Sequence, residues 1–269
     1  MQLTFALGHE RWDTNIKLRW KYGYWWLPRR VYIETHTACP HRCSYCTNGY
    51  DASRLPVKRM SEEVFEMALF RLKEMDWTGV VGFQRVNEPL LEPRLARFVR
   101  QTRQTLPKAY IRTNTAAQKL TREKMVELID AGIDKLVITQ HEWVDQEWKD
   151  RVAALCKEFG KWIDFRGDIS KAPWKINFAG QVPIPNGKPW RSCRTILDNI
   201  FIVYDGRVPM CFADTDFSHS VGNIMNERLL DIITKPEYVR IRMGVVGGFR
   251  KLFKGTPELE MCKACFKGK

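Results

Sequence analysis

The sequence lacks any apolar run long enough to cross a bilayer, since stretches such as NIFIVY at 199–204 end after a few residues. The N-terminal region contains no apolar core of a secretory signal peptide. Without a secretory context, the eight cysteines are better explained as reduced metal ligands than as a disulfide framework. Acidic residues are also scarce, with 31 against 44 Lys and Arg, which leaves a formal charge of +13. We therefore expect a cytoplasmic protein that attracts anionic partners.

Apolar β-branched runs alternate with amphipathic stretches in residues 31–168 and predict an α/β fold with parallel strands. Helices are expected to begin near Ser61, Pro93, Thr121 and Val144. In such folds ligands gather where the carboxyl ends of the strands meet. The expected strands cover residues 31–35, 79–86, 109–114, 135–140 and 162–168.

A second unit is expected after the proline-rich stretch QVPIPNGKPWRSC at 181–193, which is typical of a linker. Within this unit, NIFIVY and RVPMCF flank Asp205-Gly206 and predict a β-hairpin. A helix from Glu227 and a short cysteine-containing tail should follow. The predicted divisions are a basic aromatic extension (1–30), a parallel α/β unit (31–182) and a small C-terminal unit (183–269).

Two segments interleave basic and aromatic residues, at 17–30 and at 240–255. This pattern is compatible with contact to nucleic acid or to a membrane surface. A solvated basic face with aromatic side chains packed inward is the more common explanation. We therefore expect no nucleic-acid partner from these segments alone.

Three cysteines, Cys39, Cys43 and Cys46, follow the first expected strand with the spacing C-x3-C-x2-C. A zinc site would need a fourth ligand, which His36 or His41 could supply. A four-iron four-sulfur cluster held by three thiolates instead leaves one iron open to a small chelating ligand. The absence of a fourth cysteine would then leave a coordination position free for that ligand.

Together with Tyr45 before the last of these cysteines and the strand-helix context, the spacing resembles that of the radical S-adenosylmethionine (SAM) enzymes. The resemblance implies a partial (β/α)6 radical SAM barrel in which the open iron binds SAM. One electron from the cluster then cleaves SAM to methionine and a 5′-deoxyadenosyl radical, which abstracts a substrate hydrogen.

The sequence VNEP at 86–89 stands where this family usually has Gly-Gly-Glu-Pro. Glu88 is therefore expected to accept hydrogen bonds from the cofactor's ammonium group. Val86 and Asn87 replace both glycines, which is a departure from the pattern. The resemblance implies further cofactor contacts from Tyr45, Asn87, Asn114 and Thr139.

Four of the remaining cysteines form a second set, namely Cys193, Cys211, Cys262 and Cys265. Four thiolates suit structural zinc or a fully coordinated iron-sulfur cluster, and their chemistry alone favours neither. Their arrangement, with GNI at 222–224 before the final pair, resembles the twitch domain, a shortened SPASM module of radical SAM enzymes. The resemblance implies a second 4Fe-4S cluster. Cys156, on an expected helix with apolar neighbours, is interpreted as a buried structural thiol, with a role as hydrogen-atom donor as the alternative.

A four-thiolate cluster has no open iron for substrate, so we expect it to accept an electron from the substrate radical. This predicts an oxidoreductase that dehydrogenates or epimerises a polar small molecule such as an amino sugar or aminocyclitol. The alternatives are a radical SAM enzyme that modifies a ribosomal peptide, and a zinc-containing protein that binds nucleic acid. Flavodoxin or ferredoxin is the expected reducing partner. The candidates for substrate contact or proton transfer are His141, Arg166 and Asp214.

Overall fold

The computed structural model describes residues 27–50, 57–169, 178–182, 193, 195–245 and 260–267. Six parallel strands form one sheet in the order β5-β4-β3-β2-β1-β6. They are β1 Arg30–Ile33, β2 Val80–Gly82, β3 Tyr110–Thr115, β4 Lys135–Gln140, β5 Ile163–Asp168 and β6 Asn199–Ile202. Two further strands, β7 Arg207–Pro209 and β8 Ser220–Asn223, pair antiparallel in a small second sheet. This arrangement confirms the predicted α/β class with a small C-terminal β unit.

Helices connect the parallel strands, and a 3-10 turn at Pro89–Leu91 follows β2. Those between β1 and β5 are α1 Thr47–Tyr50, α2 Glu62–Glu74, α3 Leu95–Thr105, α4 Arg122–Asp130 and α5 Gln146–Phe159. The C-terminal helices are α6 Thr195–Asp198, α7 Leu229–Thr234, α8 Pro236–Gly244 and α9 Glu260–Lys267. The single helix expected from Glu227 is therefore two helices, because Pro236 starts α8 after a break at Lys235.

Local capping explains why the predicted starts of α2 and α4 are confirmed. The Ser61 hydroxyl accepts a hydrogen bond from Val64 N at 3.2 Å, and the Thr121 hydroxyl accepts one from Lys124 N at 3.2 Å. Each hydroxyl satisfies a backbone N–H group that the first helical turn leaves without a partner.

Apolar side chains from the helices and from the sheet form the core. Phe65 of α2 stacks on Phe98 of α3 with ring centroids 4.0 Å apart, and both rings are fully buried. Every residue of β2 is buried, as expected for an interior strand of a parallel sheet.

The prediction that the two strands around Asp205-Gly206 pair with each other as a hairpin is wrong. The turn exists, because Val203 N donates to Arg207 O at 3.0 Å, but the two flanking strands belong to different sheets. Strand β6 pairs in parallel with β1, whereas β7 pairs with β8. Ile200, Phe201 and Ile202 are all buried, so this run completes the main sheet.

The predicted boundary at residues 182 and 183 remains a prediction, and the main sheet draws its sixth strand from beyond it. Residues 183–192 of the expected linker lie outside the described residues, as do residues 1–26 of the extension and 246–255 of the second basic segment. Within the described ranges, none of the helices has the length and apolarity that a bilayer crossing requires.

Candidate active site

A cavity of about 290 Å³ lies at the carboxyl ends of the parallel strands. Its wall contains Cys39, Cys43 and Cys46 from the loop that follows β1. The wall also contains every residue expected to contact SAM, namely Tyr45, Asn87, Glu88, Asn114 and Thr139. The fold thus brings the expected cluster ligands and cofactor contacts to one place, although they come from the loops after β1 and β2 and from the ends of β3 and β4.

The first three thiols line this cavity and are close enough to influence one another electrostatically. Burial raises the pKa of the Cys39 thiol to about 12, and its neighbours Cys46 and Cys43 add to the rise. A metal centre that binds thiolates would displace these protons. Among the described residues, no three His, Cys, Asp or Glu side chains are grouped closely enough to hold a single metal ion. The donor set fits a cluster that takes one thiolate on each of three irons.

The second set of thiols converges in the same way near the small sheet. Burial raises the pKa of Cys211 well above its usual range, and Cys262, Cys193 and Cys265 each add to that rise. Cys193 is fixed by its backbone N–H group, which donates to Val245 O at 2.9 Å. The four thiols therefore fit a cluster in which every iron carries a cysteine.

Glu88 is buried in the cavity wall and is held by three donors. Oε1 accepts hydrogen bonds from the Thr115 hydroxyl and from Leu90 N, while Oε2 accepts one from Ala116 N at 2.8 Å. Burial raises the pKa of Glu88, and these hydrogen bonds oppose the rise. A carboxylate offers about four acceptor positions, so one remains for the ammonium group of a ligand.

The loop that departs from the family pattern is shaped by a side chain where glycine is usual. Asn87 Oδ1 accepts from Arg85 N at 2.9 Å, and Asn87 Nδ2 donates to Phe83 O at 3.1 Å. The loop is joined to the cysteine loop through Glu88 N, which donates to Ala38 O at 3.0 Å. Asn87 therefore supports the turn that carries Glu88.

Asn114 and Thr139 line the cavity from the ends of β3 and β4. The Asn114 Oδ1 atom is buried and has no hydrogen-bond partner among the described residues. Buried acceptors are nearly always satisfied, so this atom marks a place where a bound ligand with a donor group fits. The thiol triad, Glu88 and this acceptor together match the needs of a cluster and SAM.

The three candidates for substrate contact occupy different surroundings. His141 lies in the cavity wall, with Nδ1 2.7 Å from the Tyr45 hydroxyl and 3.7 Å from Cys43 Sγ. Arg166 is exposed on the edge strand β5, where it pairs with Asp164 at 2.9 Å. It does not contribute to the described wall of the cavity. The catalytic roles of both residues remain predictions.

Asp214 is buried in the loop after Cys211, beside a second cavity of about 490 Å³. Its carboxylate accepts from His219 N at 3.3 Å and from Met210 N at 3.4 Å, so it stabilises the loop. Burial raises the pKa of Asp214. Its predicted role in catalysis is untested by this geometry.

Cys156 lies on α5, partly buried and packed against the hydrophobic core. Burial raises the pKa of this thiol. Cys156 is not among the residues that form the described cavity wall. Cys156 was expected to be buried and is only partly buried, and its structural role remains a prediction.

Sequence reasoning missed an ion pair formed by Arg85, which lines the cavity, and Glu34. Arg85 Nη1 lies 3.0 Å from Glu34 Oε2, and both side chains are at most 1% exposed. Arg85 Nη2 also donates to the Asp214 carbonyl oxygen at 2.6 Å. Glu34 follows β1 and Arg85 follows β2. The presence of charged residues just after apolar strands is the feature of the sequence that could have indicated this pair. The guanidinium group connects the barrel to the loop of the second cysteine set.

Two family profiles match this chain. Residues 33–163 match the radical SAM superfamily, and residues 193–266 match SPASM, an iron-sulfur cluster-binding domain. These matches agree with the two cysteine sets and argue against the zinc-containing nucleic-acid-binding alternative.

Two curated relatives differ in how much of the chain they share. The S-adenosyl-L-methionine-dependent 2-deoxy-scyllo-inosamine dehydrogenase of Niallia circulans is 25% identical over 238 residues, which are 87% of this chain and 91% of the relative. PqqA peptide cyclase of Bradyrhizobium diazoefficiens is 29% identical over 131 residues, which are 47% of this chain and only 32% of the cyclase. The dehydrogenase is therefore matched along nearly its whole length.

Solved structures share the fold. BtrN in complex with AdoMet and 2-DOIA matches with a TM-score of 0.76 at 24% identity, covering 88% of this chain and 92% of BtrN. Streptococcus suis SuiB bound to the precursor peptide SuiA matches with a TM-score of 0.57 at 13% identity, covering 95% of this chain and 74% of SuiB.

Proposed function

The chain belongs to the radical SAM superfamily and carries a C-terminal iron-sulfur cluster-binding domain, and from this premise we propose that it dehydrogenates an aminocyclitol or a related amino sugar. The observation that carries the proposal is the match to a dehydrogenase over 87% of this chain and 91% of that enzyme's length. The whole architecture, and not the barrel alone, is thus shared with an enzyme that oxidises a polar small molecule.

Residues of the cavity would bind the cluster and the cofactor that react with the substrate. Cys39, Cys43 and Cys46 would hold the first cluster, which together with SAM supplies one-electron cleavage and abstraction of a substrate hydrogen atom. Glu88 would accept the cofactor's ammonium group, and Asn114 Oδ1 would accept another cofactor donor. The buried wall would keep water away from the reacting groups.

The second half of the oxidation requires an electron and a proton to leave the substrate. The cluster held by Cys193, Cys211, Cys262 and Cys265 would take the electron. For the proton we propose His141 or Asp214 as acceptor, with Arg166 as a contact to a polar substrate group. The raised pKa of Asp214 makes its carboxylate a better base than an ordinary aspartate.

The charge of +13 supports the proposal that the substrate or its partner protein has anionic character. Flavodoxin and ferredoxin are acidic electron carriers as a class, and we propose one of them as the reductant of the first cluster. We also propose that the enzyme acts in the cytoplasm, where such carriers are found.

Peptide modification is the second candidate, and the match to PqqA peptide cyclase over 47% of this chain favours it. In that case the basic N-terminal segment at 17–30 would hold an acidic leader peptide. The match covers only 32% of the cyclase, so it concerns the shared barrel more than the features of a peptide substrate.

The test is an anaerobic assay of the reconstituted holoenzyme with 2-deoxy-scyllo-inosamine as the first substrate probe. Dehydrogenation predicts a product that has lost two hydrogens, with one 5′-deoxyadenosine formed per product. Deuterium from the substrate carbon should appear in the 5′-deoxyadenosine. A product of unchanged mass that is lost in Cys156→Ala would instead identify an epimerase with a thiol hydrogen donor and would refute the dehydrogenase proposal.

A further inference from the structure

The segment His141–Trp143, which directly follows β4, packs on the loop that carries the first three cysteines. Glu142 binds this loop through hydrogen bonds to both of its carboxylate oxygens. Oε1 accepts from Ser44 N at 2.7 Å, and Oε2 accepts from the Ser44 hydroxyl at 2.9 Å. We call residues 141–143 the HEW segment.

Aromatic rings from the two loops interleave in one stack. His41 of the cysteine loop lies on Trp143 with ring centroids 3.6 Å apart and planes 5° apart. Trp143 in turn stacks with His141 at 6.0 Å and 7°, and His141 stacks with Tyr45 at 6.0 Å and 15°. The near-parallel planes fix the HEW segment relative to the cysteine loop, because such stacked contacts add stability beyond area burial.

This stack directs polar groups at Cys43, which is only 6% exposed. His141 Nδ1 lies 3.7 Å from Cys43 Sγ and 2.7 Å from the Tyr45 hydroxyl. Tyr45 also interacts with the Cys43 thiol and opposes the rise that burial causes in the pKa of Cys43. The Trp143 Nε1 atom is buried without a hydrogen-bond partner among the described residues, and the Trp143 side chain opposes the rise that burial causes in the pKa of Cys43. The polar atoms of His141, Tyr45 and Trp143 thus lie around one sulfur atom, and His141 donates to it in the tautomer that carries its proton on Nδ1.

Hydrogen bonds to cluster sulfurs influence the reduction potential, because donors stabilise the more negative reduced cluster. The thiolate of a cluster-bound Cys43 would be a stronger acceptor than the thiol for every one of these donors. A buried indole N–H group that lacks a regular partner gains one in that state, which removes the cost of leaving it unsatisfied.

We propose that the HEW segment tunes the first cluster, with His141 and Trp143 as positioning residues that raise its reduction potential through Cys43. This assigns His141 an action on the cluster in addition to the proton-acceptor role proposed for it or for Asp214. The inference rests on the cluster at the cysteine triad, and it does not depend on which substrate the enzyme oxidises.

The test uses His141→Phe and Trp143→Phe, which keep an aromatic ring in the stack and remove the polar nitrogen. The midpoint potential of the first cluster would be measured by redox titration of the holoenzyme, with electron paramagnetic resonance used to separate the two clusters. SAM addition identifies the signal of the first cluster, because only that cluster has an open iron. Both variants should keep their iron and shift this potential to lower values, while the second cluster stays unchanged.

Trp77→Phe is the matched control. Trp77 Nε1 is also buried without a described partner, but Trp77 precedes β2 and therefore lies at the opposite end of the sheet from the cavity. Its substitution should leave the potential unchanged. Unchanged potentials in both HEW variants, an equal shift in Trp77→Phe, or loss of iron in both HEW variants would overturn the proposal. A failed substrate assay would refute the proposed function alone, since the titration requires no substrate.

Discussion

Replacing Arg85 by Met should destabilise the protein strongly, because it leaves the carboxylate of Glu34 buried without its counter-charge. In the native structure Arg85 Nη1 lies 3.0 Å from Glu34 Oε2, and the two side chains are 1% and 0% exposed. Among the described residues the remaining donor to this carboxylate is Val86 N, at 3.2 Å from Oε1. Removing one partner of a buried ion pair costs about 3–5 kcal/mol.

The double variant Glu34→Leu/Arg85→Met should recover most of this loss. Replacing both members of a buried pair by apolar residues of similar volume is often neutral or stabilising by about 1–4 kcal/mol. The two substitutions should therefore be strongly non-additive, since they act on groups in direct contact. The hydrogen bond from Arg85 to the Asp214 carbonyl oxygen is lost in both variants and does not obscure the comparison.

The free energy of unfolding would be measured by anaerobic urea titration followed by tryptophan fluorescence, for the wild type, both single variants and the double variant. Arg103→Lys serves as a control, since Arg103 pairs with Asp134 in a partly exposed position remote from the cavity. A loss below about 1 kcal/mol in Arg85→Met, or a double variant that equals the sum of its singles, would refute the reasoning.

Three further predictions concern the clusters and SAM. Cys39→Ala should lose reductive SAM cleavage because the cluster with the open iron cannot assemble, and 5′-deoxyadenosine formation by that variant would overturn the ligand assignment. Cys262→Ala should keep part of the cleavage yet lose oxidised product, as measured by mass spectrometry; normal product from a folded variant would limit the second cluster to a structural role. SAM binding, measured by calorimetry, should weaken as the pH falls toward the raised pKa of Glu88, because protonation removes the charge that attracts the ammonium group. Glu88→Gln should bind weakly with no such pH dependence, and an unchanged pH profile in that variant would exclude Glu88 as the cause.

Interactions between near neighbours in the sequence explain which structural predictions are confirmed. Ser61 and Thr121 cap their helices through backbone groups only three residues away. The strand expected at 135–140 has those same bounds in the structure, because its β-branched apolar run suits a buried strand. The triad of cysteines is similarly compact in sequence, so its spacing alone predicts a shared metal centre.

The cavity was only partly predictable. Its position followed from the rule that ligands gather at the carboxyl ends of parallel strands, and the SAM contacts expected from the family pattern all line its wall. The Glu34–Arg85 pair was not found, because a charged residue after a strand gives no indication of its partner 51 residues away. Asn87 was expected to contact SAM, whereas its side-chain hydrogen bonds in the structure hold its own turn.

The sequence by itself determined the thiol spacings, the helix caps and the alternation of strand and helix, since each depends on residues close together in the chain. The tertiary structure decided the partner of β6. Turn chemistry at Asp205-Gly206 favoured a hairpin, but the apolar run Asn199–Ile202 buries its side chains by extending the main sheet beside β1. The turn itself forms, but a local pattern holds no information about which distant sheet edge is open for β6 to pair with. The same limit applies to His141, whose contacts with Tyr45 and Cys43 exist only because β4 ends beside the cysteine loop.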